Sequence, residues 1–232
     1  MTAQSIFTMR ANMKILFKYP TRSRPDWFKK TLGLYYTLMN SETRFEFVVS
    51  LNKDDETMNN KPMRKTLDSI KYLSYLYGDH KNKIAACNAD VDLKKEWDIL
   101  VLVSDDMIPS VNFDKIIIEN MQKHFPNLDG ALHFNDGYCG GKNTITFSIL
   151  GRKLYEKIGY IYHPSYNSFY CDNEFTDVVR SMKAVHYDPR VIVKHKWTGG
   201  GSSKDALYRM NTKLGKDDGK TYNKRKHLGF PK

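Results

Sequence analysis

The chain has 232 residues, a hydrophobic fraction of 41%, three cysteines and a formal net charge of +11 at pH 7. This length and composition favour one domain with a substantial core, and the odd number of widely spaced cysteines indicates neither a disulfide framework nor a zinc knuckle. No apolar run approaches the roughly 20 residues of a membrane span and no signal peptide is indicated, so we expect a cytoplasmic protein in a reducing compartment.

The first half of the chain alternates predicted strands with predicted helices. Residues 1–12 lack a pattern and are predicted to be an irregular leader. Apolar spacing predicts strands over 14–19, 45–51, 83–87 and 99–103, and helices over 25–40 and 61–77. Strands that alternate with helices indicate βαβ units, and therefore an α/β fold with a mainly parallel sheet.

The second half continues the alternation and ends in a basic segment. The pattern predicts helices over 112–124 and 152–158 and from residue 172, strands over 130–134, 144–150, 184–187 and 190–193, and two basic helices over 204–211 and 218–228. A triple glycine, Gly199 to Gly201, precedes the basic helices and suits a hinge. We therefore expect a main domain over 13–200 and a helical tail or lid over 201–232.

An acidic pair follows the apolar strand 99–103. Asp105 and Asp106 lie at its carboxyl end, which is the edge where open α/β sheets bind ligands. Two adjacent carboxylates repel each other unless a cation lies between them, and oxygen ligands suit Mg²⁺ or Mn²⁺. The alternative is a solvated acidic turn without a ligand.

Charged residues also follow the first two predicted strands. Arg22 and Arg24 are suited to grip phosphate or a nucleobase carbonyl, although they are equally ordinary as surface arginines. Asp54 and Asp55 are suited to accept hydrogen bonds from ribose hydroxyls or a base edge, or else they belong to an acidic loop. Both groups are expected at the same edge of the sheet as the acidic pair.

Three further features of the second half carry chemistry. A glycine-rich turn over 135–141 permits close approach of a sugar or acceptor. Asp172 and Glu174 begin a helix, where acids are ordinary dipole complements or where one of them is a general base. His195, between Lys194 and Lys196, suits a third metal ligand beside a diphosphate, although a lone histidine is more often structural.

In their order and spacing these motifs resemble the GT-A glycosyltransferases of the inverting family 2, especially compact single-domain members in phage and bacterial genomes. The resemblance runs from Lys14 to about Phe230. The family's DxD motif stands here as Ser104-Asp105-Asp106, with serine in place of the first acid, and its acidic base motif as Asp172-Asn173-Glu174. The resemblance implies a Rossmann-like, mixed but mainly parallel sheet flanked by helices.

The resemblance also implies roles for individual residues. The metal, Mn²⁺ or Mg²⁺, would be bound by Asp106 and His195 with Asp105, and the catalytic base would be either Asp172 or Glu174. The nucleotide-sugar site would comprise Pro20, Thr21, Arg22, Arg24, Asp54, Asp55, Ser104, Asp105, Lys194 and Lys196. The acceptor would contact Asn135, Asp136, Tyr138 and Trp197.

The implied reaction is metal-dependent, inverting transfer of a sugar from a nucleotide-diphosphate sugar, expected to be a UDP-sugar, to an acceptor hydroxyl. The acceptor is either a glycan or a hydroxymethylated base in phage DNA. A basic segment favours an anionic acceptor, because residues 194–232 hold eleven Lys or Arg against three Asp. The alternative is an inactive GT-A fold that only binds nucleotides or nucleic acid, which the serine in the DxD motif favours.

Overall fold

The computed structural model describes residues 13–138, 141–196 and 205–231. The strands are β1 (Lys14–Pro20), β2 (Arg44–Asn52), β3 (Leu73–Gly78), β4 (Ile99–Leu102), β5 (Met107–Pro109), β6 (Ala131–Phe134), β7 (Ile149–Gly151), β8 (Val185–Asp188) and β9 (Val193–His195). The helices are α1 (Pro25–Leu38), α2 (Lys61–Asp68), α3 (Lys83–Asn88), α4 (Phe113–His124), α5 (Arg152–Ile158), α6 (Cys171–Ser181), α7 (Ala206–Leu214) and α8 (Asp218–His227). The predicted leader and the triple glycine lie outside the described residues.

Seven strands form one mixed sheet in the order β3-β2-β1-β4-β7-β6-β8, and β5 and β9 form a separate two-stranded sheet. The pairs β1–β2, β2–β3, β1–β4 and β6–β8 are parallel, whereas β7 is antiparallel to both β4 and β6. The predicted α/β fold with a mixed, mainly parallel sheet flanked by helices is confirmed. β4 is buried along its whole length as predicted, but only one of its two neighbours is parallel to it.

Helices cover both faces of the large sheet. Side chains of successive strand residues point to opposite faces, so Phe17 of β1 packs in the core with α1, α2 and α4, whereas Leu16 packs in the core with α3, α5 and α6. The parallel pairing of β1 with β2 and β4 brings the carboxyl ends of these three strands to one edge of the sheet. That edge carries the loops in which the functional residues were predicted.

Two predictions in the first half of the chain were wrong. The predicted strand over 83–87 is the helix α3, because the Asn82 side chain accepts a hydrogen bond from the Ala85 amide and caps it. The predicted helix over 61–77 ends at Asp68, and the remainder forms β3 against β2. Leucines at 73 and 76 fit a helical spacing, but pairing with a neighbouring strand decided the structure of this segment.

Several predicted boundaries in the second half also shift. The predicted strand over 144–150 is reduced to β7, because the Ile145 amide donates to the Thr176 hydroxyl of α6 rather than to a strand. The two predicted edge strands become β8, at the edge of the large sheet, and β9, which pairs with β5. Two basic helices are present as predicted, as α7 and α8. Among the described helices, none is both long and apolar enough to cross a bilayer.

Helix α8 is fixed to the main domain by buried polar contacts. Asp218, which is 1% exposed, accepts hydrogen bonds from the main-chain amides of Ser168 and Phe169, both at 2.8 Å, and from that of Asn167 at 3.1 Å. These amides belong to the loop that precedes α6. A carboxylate that accepts several amide hydrogen bonds stabilises both the loop and the helix that carries it.

We predict that Asp218→Asn lowers the free energy of unfolding by about 1–3 kcal/mol, because the amide replaces an accepting oxygen with a donor that faces main-chain N–H groups. Chemical denaturation monitored by circular dichroism measures the change. Asp217→Asn is the matched control, since Asp217 is the adjacent acid and forms an exposed ion pair with Lys220. A loss of stability of equal size in both variants would contradict a specific role for Asp218.

Candidate functional site

Asp105, directly after β4, is held by the loop that follows β1. Its carboxylate is 5% exposed, and the Thr21 hydroxyl lies 3.1 Å from each of its oxygens. Thr31 of α1 donates to its main-chain carbonyl at 2.7 Å. Burial raises the pKa of Asp105 to about 7, although the hydroxyls of Tyr19 and Thr21 and the charge of Arg24 oppose the shift. The parallel pairing of β1 with β4 therefore places Thr21 where it fixes Asp105.

Asp106 has a different environment from its neighbour. Its side chain is 24% exposed, and the Ser104 hydroxyl donates to Oδ1 at 2.5 Å. Burial raises the pKa of Asp106, but His195, Ser104 and Lys83 outweigh this effect and hold the pKa below its ordinary value. Asp106 is therefore the ionised and more accessible member of the acidic pair.

The two-stranded sheet brings His195 to Asp106. β5 begins directly after Asp106, and its antiparallel pairing with β9 places Met107 opposite His195. The Lys196 amide donates to the Asp106 carbonyl at 2.7 Å, which extends this pairing by one residue. His195 Nε2 consequently lies 3.5 Å from Asp106 Oδ2. The structure thus brings together two of the three predicted metal ligands from distant parts of the chain.

Asp106 and His195 fit a divalent cation that binds together with a substrate. Within the described residues, no three His, Cys, Asp or Glu side chains are grouped as a complete metal site. Mg²⁺ and similar cations are commonly held by only one or two protein ligands, with the remaining positions filled by phosphate oxygens and water. A carboxylate and an imidazole that converge at the ligand-binding edge of the sheet match that donor set.

The predicted nucleotide-binding residues lie in loops at the same edge. Arg22 and Asp54 form a bidentate, exposed ion pair with distances of 2.7 and 2.9 Å. Asp55 is buried and accepts hydrogen bonds from the Ser23 amide at 2.7 Å and the Thr57 hydroxyl at 2.6 Å. Asp54 and Asp55 therefore differ: the first is accessible to a ligand, and the second joins the loops after β1 and β2.

Arg24 connects the loop after β1 to the C-terminal segment. Its Nε donates to Asp205 Oδ2 at 2.7 Å, and Asp205 also caps α7 by accepting from the Tyr208 amide. The charge of Arg24 also acts on Asp105. Pro20, the last residue of β1, sets the start of this loop. The predicted nucleotide loop thus contacts both Asp105 and the start of α7.

Lys83 is a residue of the site that the sequence analysis missed. It is the first residue of α3, it is exposed, and its positive charge acts on both Asp106 and Asp172. Because the sequence analysis predicted a strand over 83–87, it did not place Lys83 near the acidic pair. The sequence signal for the helix that carries Lys83 is Asn82, because asparagine is a common helix N-cap residue.

The two candidates for the catalytic base have different surroundings. Glu174 is 2% exposed, forms a bidentate ion pair with Arg225 of α8 at 2.8 Å, and accepts the Tyr166 hydroxyl at 2.7 Å. The Asp172 carboxylate accepts a hydrogen bond from the Asn173 amide at 3.0 Å and forms no ion pair with the described residues. Burial raises the pKa of Asp172, and the charges of Lys83 and His195 oppose the shift.

The predicted acceptor residues are partly accessible. Asn135 accepts a hydrogen bond from the Gly137 amide, where a φ of +69° suits glycine, and Tyr138 is 55% exposed. Asp136 is 1% exposed, and Lys194 and Lys196 are exposed beside His195. Trp197, Cys139 and Gly140 lie outside the described residues.

By sequence, no protein-family model and no curated relative matches the chain. By structure, the chain is similar to S. aureus TarS, residues 1–349, in complex with UDP-GlcNAc, with a TM-score of 0.63 and 16% identity over 87% of this chain and 65% of that one. It is also similar to the mannosyltransferase PcManGT from Pyrobaculum calidifontis in complex with GDP-Man and Mn²⁺, with a TM-score of 0.62 and 13% identity over 81% of this chain and 58% of that one.

The chain has a GT-A fold. This agrees with the fold that the sequence resemblance implies. At these identities the likeness shows the fold alone, and the chain spans roughly three fifths of the length of these proteins. Asp106 and His195 lie at the carboxyl edge of the sheet, which is the edge where open α/β sheets bind ligands.

We predict that Glu174→Gln lowers the free energy of unfolding by about 3 kcal/mol or more, because it leaves the Arg225 guanidinium without its buried counter-charge. Asp172→Asn should leave stability unchanged or raise it slightly, because it removes a desolvated carboxylate. Urea denaturation of both variants measures the difference. Equal destabilisation by the two substitutions would contradict this division between an acid held in a buried ion pair and an acid without one.

Proposed function

We propose that the protein is a metal-dependent, inverting glycosyltransferase that uses a nucleotide-diphosphate sugar. The observation that carries this proposal is the approach of His195 Nε2 to within 3.5 Å of Asp106 Oδ2 at the carboxyl edge of a GT-A sheet. The charge of Lys83 acts on both Asp106 and Asp172. Two proteins of similar fold, bound to GDP-Man with Mn²⁺ and to UDP-GlcNAc, support it.

We propose that the donor is a UDP-sugar and that it binds to the loops after β1 and β2. Thr21 and Arg24 line the approach to Asp105, and the Arg22–Asp54 pair is exposed for contact with the nucleoside. Ser104 in place of the first acid of a DxD motif does not argue against activity, because its hydroxyl donates to Asp106 and orients that carboxylate.

The leaving group is a nucleoside diphosphate, and charge builds on its oxygens as the glycosidic bond breaks. Lys83 provides positive charge that acts on Asp106, and Lys194 and Lys196 are exposed on either side of His195 in the sequence. A divalent cation at Asp106 and His195, when bound, would neutralise part of the developing charge. Fixed positive charge near the leaving group stabilises the transition state more than the bound substrate, and it therefore lowers the barrier.

Asp172 is proposed as the general base, because Glu174 is occupied by Arg225 and Tyr166. Asp172 takes the proton of the acceptor hydroxyl while that oxygen forms a bond to the anomeric carbon. The bond from this carbon to the diphosphate oxygen breaks on the opposite side, and its electron pair stays with the diphosphate. A single displacement of this kind inverts the anomeric configuration.

The acceptor is proposed to be either a glycan or a hydroxymethylated base in phage DNA. The observation that favours an anionic polymer is the exposure of Lys213, Lys216 and Lys224 on and between α7 and α8. A DNA acceptor would also require the target base to leave the stack. A protein of this fold that only binds nucleotide or nucleic acid is the remaining alternative.

The test is release of nucleoside diphosphate from a panel of nucleotide sugars with Mn²⁺, with and without hydroxymethylated DNA, at low and high salt. We predict release that Asp106→Ala abolishes without loss of the fold, because this residue is the accessible carboxylate of the site. Stimulation by DNA that high salt suppresses would identify a DNA acceptor. Release indifferent to DNA would direct the search to glycans, whereas tight nucleotide binding without any release would support the binding-only alternative.

We predict that Asp172→Asn reduces sugar transfer by about a hundredfold or more while donor binding stays within the range of the wild type. The wild-type rate should fall as the pH is lowered through the raised pKa of Asp172, because the base must be deprotonated to act. The variant should lose this acidic limb of the profile. Equal losses of donor binding and transfer would argue against a base role.

A further inference from the structure

Asp136, in the turn after β6, is one of the most buried acids of the chain and lies behind the proposed metal ligand His195. Its side chain is 1% exposed. Oδ1 accepts hydrogen bonds from the Tyr138 amide at 3.0 Å and the Gly141 amide at 3.4 Å, and Oδ2 accepts from the Thr146 hydroxyl at 3.0 Å. The turn therefore holds this carboxylate in a fixed orientation.

His195 lies between two carboxylates. Its Nε2 is 3.5 Å from Asp106 Oδ2, and its Nδ1 is 3.8 Å from Asp136 Oδ2. Nδ1 is buried and has no hydrogen-bond partner among the residues that the structure describes. The main chains are joined as well, because the His195 amide donates to the Asp136 carbonyl at 2.9 Å. The imidazole is thus anchored to the turn of Asp136 and directed across it towards Asp106.

A neutral imidazole carries one proton on one of its two nitrogens, and only the other nitrogen can bind a metal. Histidine ligands usually donate this N–H to a carboxylate or carbonyl, which fixes both the tautomer and the ring orientation. In this site Nε2 faces the accessible carboxylate and Nδ1 faces the buried one. The geometry accordingly separates a ligand nitrogen from a donor nitrogen.

We propose that Asp136 is a positioning residue that accepts the Nδ1 proton of His195 and so directs the Nε2 lone pair to a divalent cation shared with Asp106. This inference rests on the metal site of the proposed function. It gives Asp136 a role different from the acceptor contact that the sequence predicts. A carboxylate that is 1% exposed has almost no surface for an acceptor to touch.

Asp136→Asn separates this role from the support of the turn. With its carbonyl oxygen in the place of Oδ1, asparagine still accepts from the amides of Tyr138 and Gly141. Its NH₂ group, in the place of Oδ2, can donate to the Thr146 hydroxyl, which rotates to accept. The same NH₂ group faces His195 as a donor, and this favours the tautomer with its proton on Nε2, which cannot bind a cation. The hydrogen bonds of the turn are preserved, and only the tautomer of His195 changes, to the one whose Nε2 carries a proton and does not bind the metal.

The experiment measures Mn²⁺ binding to the full chain by the loss of the electron paramagnetic resonance signal of free Mn²⁺. We expect Asp136→Asn to weaken Mn²⁺ binding about ten- to hundredfold, with little change in the thermal unfolding midpoint in the absence of metal. Asp188→Asn is the matched control, because Asp188 is also a largely buried acid at this edge, paired with Arg190 and not with His195. It should leave Mn²⁺ affinity unchanged.

A double-mutant cycle decides whether Asp136 acts through His195. In a His195→Ala background, Asp136→Asn should cause no further loss of Mn²⁺ affinity, because the group that it positions is gone. A loss that persists in this background, an equal loss in Asp188→Asn, or equal affinities of Asp136→Asn and wild type would each overturn the proposal. A wild type that transfers sugar yet binds no Mn²⁺ would overturn this inference and the metal site, but not the glycosyltransferase reaction.

Discussion

The pairing of β5 with β9 is the constraint on which the site depends. Only three residues pair in each strand, but they begin directly after Asp106 and end at His195. This short ladder converts a separation of almost ninety positions along the chain into a distance of 3.5 Å between a carboxylate oxygen and an imidazole nitrogen. Because the amides of His195 and Lys196 also bond to the carbonyls of Asp136 and Asp106, the main chain rather than long side chains sets the geometry.

The pKa values of the two adjacent acids that follow β4 are shifted in opposite directions by their surroundings. Asp105 is enclosed by residues of the neighbouring strand and loop, so burial raises its pKa. Asp106 lies on the open side with His195 and Lys83, so its pKa is lowered. The chain turns at these two residues, where the Met107 amide donates to the Ser104 carbonyl at 3.1 Å, and Asp105 contacts Thr21 in the loop after β1 whereas Asp106 contacts His195.

The sequence predicted those parts of the site that follow directly from a strand and its end. The apolar run before Asp105 and the acids themselves required no tertiary information. Lys83 was missed because a six-residue helix is too short for periodicity to distinguish it from a strand, and only the cap at Asn82 does so. The choice between Asp172 and Glu174 stayed open because it depends on Arg225, which lies 51 positions after Glu174 on α8.

The C-terminal segment also divides in a way that its uniform basic charge does not reveal. Helix α8 is fixed to the main domain through Asp218 and through the buried pair of Arg225 with Glu174. Helix α7 has no buried residue and is connected to the nucleotide loop by the exposed pair of Arg24 with Asp205. Exposed pairs contribute little to stability, whereas breaking a buried pair is costly. If part of this segment moves when a donor binds, α7 is therefore the part that can move without unfolding. Arg24 links the position of α7 to the site, because its charge also acts on Asp105.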